Sequence, residues 1–118
     1  MMIIRKNHIW IDLDKIQYSN HIQSSDRLRR FQHFLDNPSK ICKVFWVDKH
    51  HKHGDELHIV TSNATVIIIN ALTFKLITVL FARKNQIKRY YNAIYQTAPS
   101  YLIQAAANNE KKHFNNLY

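Results

Sequence analysis

Three segments concentrate side chains whose types and spacing could do chemistry. The first is ARKNQIKRYY, residues 82–91, where four cations, a glutamine and two tyrosines directly follow the apolar run KLITVLF. Arginine and lysine neutralise phosphate charge, Gln86 can donate hydrogen bonds, and a tyrosine can stack on a base or bond a phosphate oxygen. Held at the end of a strand, such groups point at a phosphodiester from a rigid base. The plainer alternative is a basic amphipathic helix start with solvated charges and Tyr90 or Tyr91 in the core. The density of phosphate-binding groups beside a sheet favours the first reading.

The second segment, DKHHKHGDELH at 48–58, holds His50, His51, His53, Asp55, Glu56 and His58. A metal centre needs three or four ligands to converge. There is no HExxH, no cysteine pair and no helical spacing here, so no functional metal is expected, only adventitious nickel or zinc on His51 and His53. A solvated loop that needs Gly54 for its backbone angle is the simpler reading. His58 differs, because it falls inside a strand pattern, where a sheet-face imidazole can act as acid or base. The third segment, YSNHIQSSDRLRR at 18–30, sets His21 before a helix carrying Arg27, Arg29 and Arg30. A lone histidine in such a place is more often an ordinary surface or cap residue.

The elements that must position these groups follow from periodicity. Leu28, Phe31 and Leu35 recur at spacings of three and four and predict a helix over 25–35. Ser24 or Ser25 is available as N-cap, Asp26 complements the first turn, and Asn37 with Pro38 ends the helix. Arg27, Arg29, Arg30 and His33 are expected on its outer face. From Lys40 to Arg83 the period becomes that of strands, near 41–48, 56–62, 65–70 and 75–82, joined by short loops. An antiparallel meander is the simplest topology. Leu57, Ile59 and Thr61 face one way and His58 and Val60 the other, while TVIIIN is apolar on both faces and suits the sheet centre. Helical spacing returns over 86–96 and 100–117, with Pro99 at or just before the start of the final helix.

A chain of 118 residues with 46% hydrophobic and 21% charged residues suits one folded domain, 1–118, rather than a disordered basic tail. Its longest apolar stretch, 65–80, is broken by Asn70 and Lys75, so no membrane span is expected. The charged N-terminal run argues against a signal peptide. Cys42 is the only cysteine, which excludes an internal disulfide and suits a cytoplasmic location, with a buried structural thiol as its expected state. The net charge of +9 favours a polyanionic partner. Seven of the 17 cations, Arg27, Arg29, Arg30, Arg83, Lys84, Lys88 and Arg89, fall in two short segments. The eight histidines would strengthen phosphate binding as the pH falls through about 6.5.

Taken in order, IQYSNHIQSSDRLRR resembles the "strand, Ser, x, His, arginine helix" opening of small bacterial toxin-like domains. GDELHIVTSNATVIIINALTFKLITVLFARKNQIKRYY resembles their meander, closing on an I-T-x-L-x-A-R-x-x-Q-I-x-R-Y pattern. These domains belong to the barnase, EndoU, colicin and RelE type ribonuclease grouping. The likeness spans about 10–91, leaving a C-terminal helical extension over about 92–118. It implies an α+β fold, with an N-terminal helix packed on a four- to five-stranded antiparallel sheet and helices at the C-terminus. It also implies metal- and cofactor-independent RNA cleavage by 2′-hydroxyl attack on the adjacent phosphate. His21 matches the histidine before the helix, Thr78 the threonine of the I-T strand, and Arg83, Gln86, Arg89 and Tyr90 the closing pattern. By this resemblance His21 or His58 serves as base or acid, Arg83 and Arg89 clamp phosphate, and Thr78 and Tyr90 give hydrogen bonds. Arg27, Arg30, Lys84, Gln86 and Lys88 are the further phosphate-binding candidates. RNA is the expected substrate, and an acidic antitoxin or immunity protein a possible partner. The alternatives are a non-catalytic basic nucleic-acid-binding protein and a protein-binding module of a phage or plasmid.

Overall fold

The computed structural model describes residues 3–18, 25–49, 52 and 54–114. The chain opens with a hairpin in which β1 (Ile3–Lys6) pairs antiparallel with β2 (Ile9–Asp12), Ile4 opposite Ile11. Asn7 and His8 form its two-residue turn with φ of 52° and 64°, the type I′ geometry that matches strand twist. The expectation of an N-terminal helix is corrected here, because strands come first. The turn carries no glycine to advertise it, and asparagine supplies the left-handed conformation instead.

Helices α1 (Ser25–Asp36) and α2 (Pro38–Ile41) lead into β3 (Cys42–Asp48), β4 (Glu56–Thr61), β5 (Thr65–Asn70) and β6 (Leu76–Phe81). These four strands form one antiparallel sheet in the order β3-β4-β5-β6, and the opening hairpin is a separate two-stranded sheet. The meander follows from short connections between β-branched runs. Gly54, in the β3–β4 connection, takes φ 103°, where a side chain would be strained. The described residues close with α3 (Lys84–Ala93), α4 (Ser100–Asn109) with Pro99 at its N-cap, and a single π-helical turn, Glu110–Phe114. The fold is α+β, and no helix among the described residues is long and apolar enough to cross a membrane.

Both sheet faces are covered. On one, Ile59, Ile67, Ile69 and Val79 pack with Ile4 and Ile11 of the hairpin and Phe31 and Phe34 of α1. On the other, Val60, Val66 and Ile68 pack with Ile87 and Tyr91 of α3 and Leu102 and Ala106 of α4. Helix α1 is turned relative to the sequence expectation. Phe34 is fully buried, Leu28 is 42% exposed, and Arg27 and Arg30 lie on the inward side, their guanidinium carbons 5.6 and 4.5 Å from the Phe81 ring centre. Residues 27, 30, 31 and 34 share one helical stripe, so the face meeting the sheet begins with arginines and ends with phenylalanines.

Arg30 belongs to a polar network at the β4–β5 turn. It donates to the Asn63 carbonyl (3.2 Å), Thr65 Oγ1 (3.1 Å) and Asn109 Oδ1 (3.1 Å). The Asn109 amide donates to the carbonyls of Ala64 and Ala82, each at 3.0 Å. Asn109 and Thr65 are buried, and Ala64 is held at φ 58° with its side chain in the core. Burial holds the Arg30 pKa below its ordinary value, with Asp26 acting the other way.

Asn109→Ala leaves two carbonyls and Arg30 short of partners, so urea unfolding should show a loss of about 1–3 kcal/mol; a loss under about 0.5 kcal/mol contradicts this role. Burial pushes the Cys42 thiol up to about 12, with Lys6 and Lys43 opposing. Native protein at pH 8 should therefore resist iodoacetamide and react only on unfolding, and rapid native labelling contradicts that burial.

Candidate active site

The site candidates gather on the sheet face that α3 and α4 cover, beside a cavity under the first turns of α3. Across that face the register aligns His58, Ile68 and Thr78 on three successive strands. Glu56 stands two residues before His58 on the same face of β4, and Asp48 is its register partner on β3. The first residues of α3 then bring Gln86, Arg89 and Tyr90 over this row. The result is a cavity of about 330 Å³ lined by Asp48, His58, Ile68, Leu80, Gln86, Arg89 and Tyr90.

His58 is 7% exposed and is engaged at both ring nitrogens. Nδ1 lies 2.5 Å from the Tyr90 hydroxyl, and Nε2 lies 3.3 Å from Glu56 Oε1 and 3.9 Å from Asp48 Oδ2. The Tyr90 hydroxyl is pushed up to about 12 by burial, opposed by Arg89 and reinforced by Asp48 and Glu56. It therefore keeps its proton at neutral pH, and in the ring tautomer with the proton on Nε2 it donates to Nδ1 while Nε2–H faces Glu56. A carboxylate, an imidazole and a phenol thus form one hydrogen-bonded line ending at the cavity wall. Such a line can hold, take up or return a proton.

A second cavity, about 500 Å³, shares Leu80 and Gln86 with the first and adds Arg27, Phe81, Arg83 and His113. Gln86 Oε1 accepts the Arg83 N–H at 3.0 Å at the start of α3. This leaves the Gln86 amide N–H groups as the donors it can offer to either cavity. His113 stacks on Phe81 with ring centres 3.8 Å apart, and its Nε2 is buried without a hydrogen-bond partner. Burial, then Arg30 and Lys112, lower its pKa, so it is neutral at pH 7. Together the two cavities carry three arginines and a glutamine along one surface.

Of the residues singled out from sequence, His58, Arg89, Tyr90 and Gln86 share the first cavity, and Arg27 and Arg83 line the second with Gln86. Thr78 shares the sheet face but lies two strands from His58, about 10 Å by strand spacing. Lys84 pairs with Glu110, Nζ to Oε2 at 3.6 Å, while Lys88 is exposed on α3 and lines neither cavity. Arg30 spends three hydrogen bonds on Asn63, Thr65 and Asn109. His21, like His50, His51 and His53, lies outside the described residues. Sequence reasoning missed Asp48 and His113. The first needed only the hairpin register opposite Glu56, whereas nothing in the local pattern marked the second. No protein-family model, curated protein or solved structure matches the chain.

Tyr90→Phe removes the hydroxyl facing a buried imidazole. Chemical denaturation should show a loss of about 1–2 kcal/mol, and an unchanged midpoint contradicts the contact.

Proposed function

We propose that the chain is an endoribonuclease of the toxin-like kind, acting on RNA without a metal ion, with the His58–Tyr90 pair at its centre. The observation that carries this reading is the junction of the two cavities. A proton-handling line, Glu56–His58–Tyr90, opens beside Arg89 and Gln86, and Gln86 leads on to Arg83 and Arg27. A polyanion laid along the arginines brings one phosphodiester to the imidazole.

In the proposed reaction the ribose 2′-hydroxyl gives its proton to the Tyr90 oxygen as Tyr90 passes its own to His58 Nδ1. The 2′-oxygen forms a bond to phosphorus, and the bond from phosphorus to the 5′-oxygen breaks. The imidazolium, stabilised by Glu56, returns the proton along the same path to the departing 5′-oxygen. The products are a 2′,3′-cyclic phosphate and a 5′-hydroxyl, with no water consumed. Arg89 and Gln86 stabilise the charge that builds on the phosphorane. The same cations would suit an acidic neutralising protein.

His58→Ala should lower cleavage of a single-stranded RNA by about 10²–10⁴-fold while leaving affinity within a few-fold. Arg89→Ala and Arg83→Ala should weaken both, and His21→Ala is read in the same assay. Binding should weaken with salt at a log–log slope near −0.7 per phosphate contacted. RNA left intact by wild-type protein, together with a salt-dependent affinity, would replace this reading with that of a non-catalytic binding protein. A slope near zero removes both.

A further inference from the structure

Two carboxylates, Asp48 and Glu56, flank His58 Nε2. Asp48 and Glu56 are directly opposite one another in the β3–β4 register, where like charges repel. A phosphate approaching the cavity meets them as well. One ligand atom from each of Asp48, Glu56 and His58 lies within 4.8 Å of the others. Two ligands each about 2.1 Å from a tetrahedral ion stand about 3.4 Å apart. The spacings from His58 Nε2, 3.3 Å to Glu56 and 3.9 Å to Asp48, already approach that value. All three residues sit on paired strands of one sheet, so their backbones are fixed before any ion arrives. His58 also has an outer partner, because Tyr90 holds the other ring nitrogen, the arrangement that orients metal-binding histidines.

We propose that Asp48, Glu56 and His58 bind one divalent transition ion of the zinc class. One nitrogen and two carboxylate ligands suit zinc, cobalt or manganese rather than magnesium, which avoids imidazole. Asp48 and His58 line the 330 Å³ cavity, so the remaining coordination positions face it. The metal takes the Nε2 position of His58, and the ring proton then resides on Nδ1, where the Tyr90 oxygen accepts it. On the nuclease reading this blocks proton uptake by Nδ1, so the ion is an inhibitor of cleavage. That consequence rests on the function proposed above, whereas the binding itself does not.

The test titrates CoCl₂ into the purified chain, follows visible absorption, and then displaces cobalt with ZnCl₂. Wild-type protein should bind one cobalt with a d–d spectrum of reduced coordination number. The His50→Ala/His51→Ala/His53→Ala triple variant should bind equally, whereas Asp48→Asn and Glu56→Gln should each weaken binding by about 100-fold or more. Far-UV circular dichroism confirms that each variant is folded, and Asp48→Asn, at a strand end, is the conservative check. Binding lost in the triple variant and kept in Asp48→Asn overturns the site, as does no binding at millimolar cobalt. In a separate arm, with each protein normalised to its own zinc-free rate, the zinc concentration that halves RNA cleavage should rise about 100-fold or more from wild type to Asp48→Asn. If no cleavage is seen in any form, the nuclease reading falls while the cobalt result still decides the site.

Discussion

Arg30 and Asn109 meet at the β4–β5 turn, and the arrangement of both helical layers depends on that contact. Arg30 comes from α1 on one side of the sheet and Asn109 from α4 on the other. Between them lies the turn Ser62-Asn63-Ala64, whose carbonyls accept from both residues. Asn109 also bonds the Ala82 carbonyl, one residue before Arg83, and the Ala82 N–H donates to the Ala64 carbonyl at 2.8 Å. The point where β6 ends and α3 begins is thereby fixed from two sides. Because Gln86, Arg89 and Tyr90 are carried on the first turns of α3, the position of Tyr90 over His58 is set by this distant network. Buried polar groups cost stability unless each is satisfied, and these are satisfied by one another.

The same constraint explains why the cations are not a uniform coat. Arg27 and Arg30 lie against Phe81, and His113 stacks on that ring from the C-terminal turn. A basic groove therefore forms where three elements converge on one aromatic residue. Helices α3 and α4 cover the end of the sheet face bearing Val60 and Val66, and Tyr90 of α3 covers His58 toward the other end, beside the 330 Å³ cavity. A histidine on a sheet face is costly to bury, and here it is stabilised by a hydrogen bond at each ring nitrogen.

Much of the sheet was legible because burial on both faces leaves a strong β-branched signal. TVIIIN proved to be an inner strand, and Leu57 and Ile59 pack on the face opposite Val60. Cys42, close in sequence to Ile41, Val44 and Trp46, is buried as that neighbourhood implied. The opening hairpin was not legible, since Ile3, Ile4, Ile9 and Ile11 flank a turn made by Asn7 and His8 without glycine. The face of α1 was misjudged for a different reason. Periodicity places arginine outward by polarity, but aromatic stacking and a ring of carbonyl and amide acceptors turn Arg30 inward. In the site, the closing pattern around Gln86, Arg89 and Tyr90 was visible as a cluster of residue types. Its meeting with His58 and Asp48 depends on tertiary packing and strand register, which no local window contains.

The chemistry proposed for the His58–Tyr90 line acts on a ribose 2′-hydroxyl, and the product ends report it directly. A 5′-labelled RNA oligonucleotide, incubated with the wild-type chain in EDTA, should yield fragments ending in a 2′,3′-cyclic phosphate. The same oligonucleotide with a single 2′-deoxyribose at the cleavage point should stay intact there. Fragments bearing a 5′-phosphate, or equal cutting at the deoxy position, would contradict the claim.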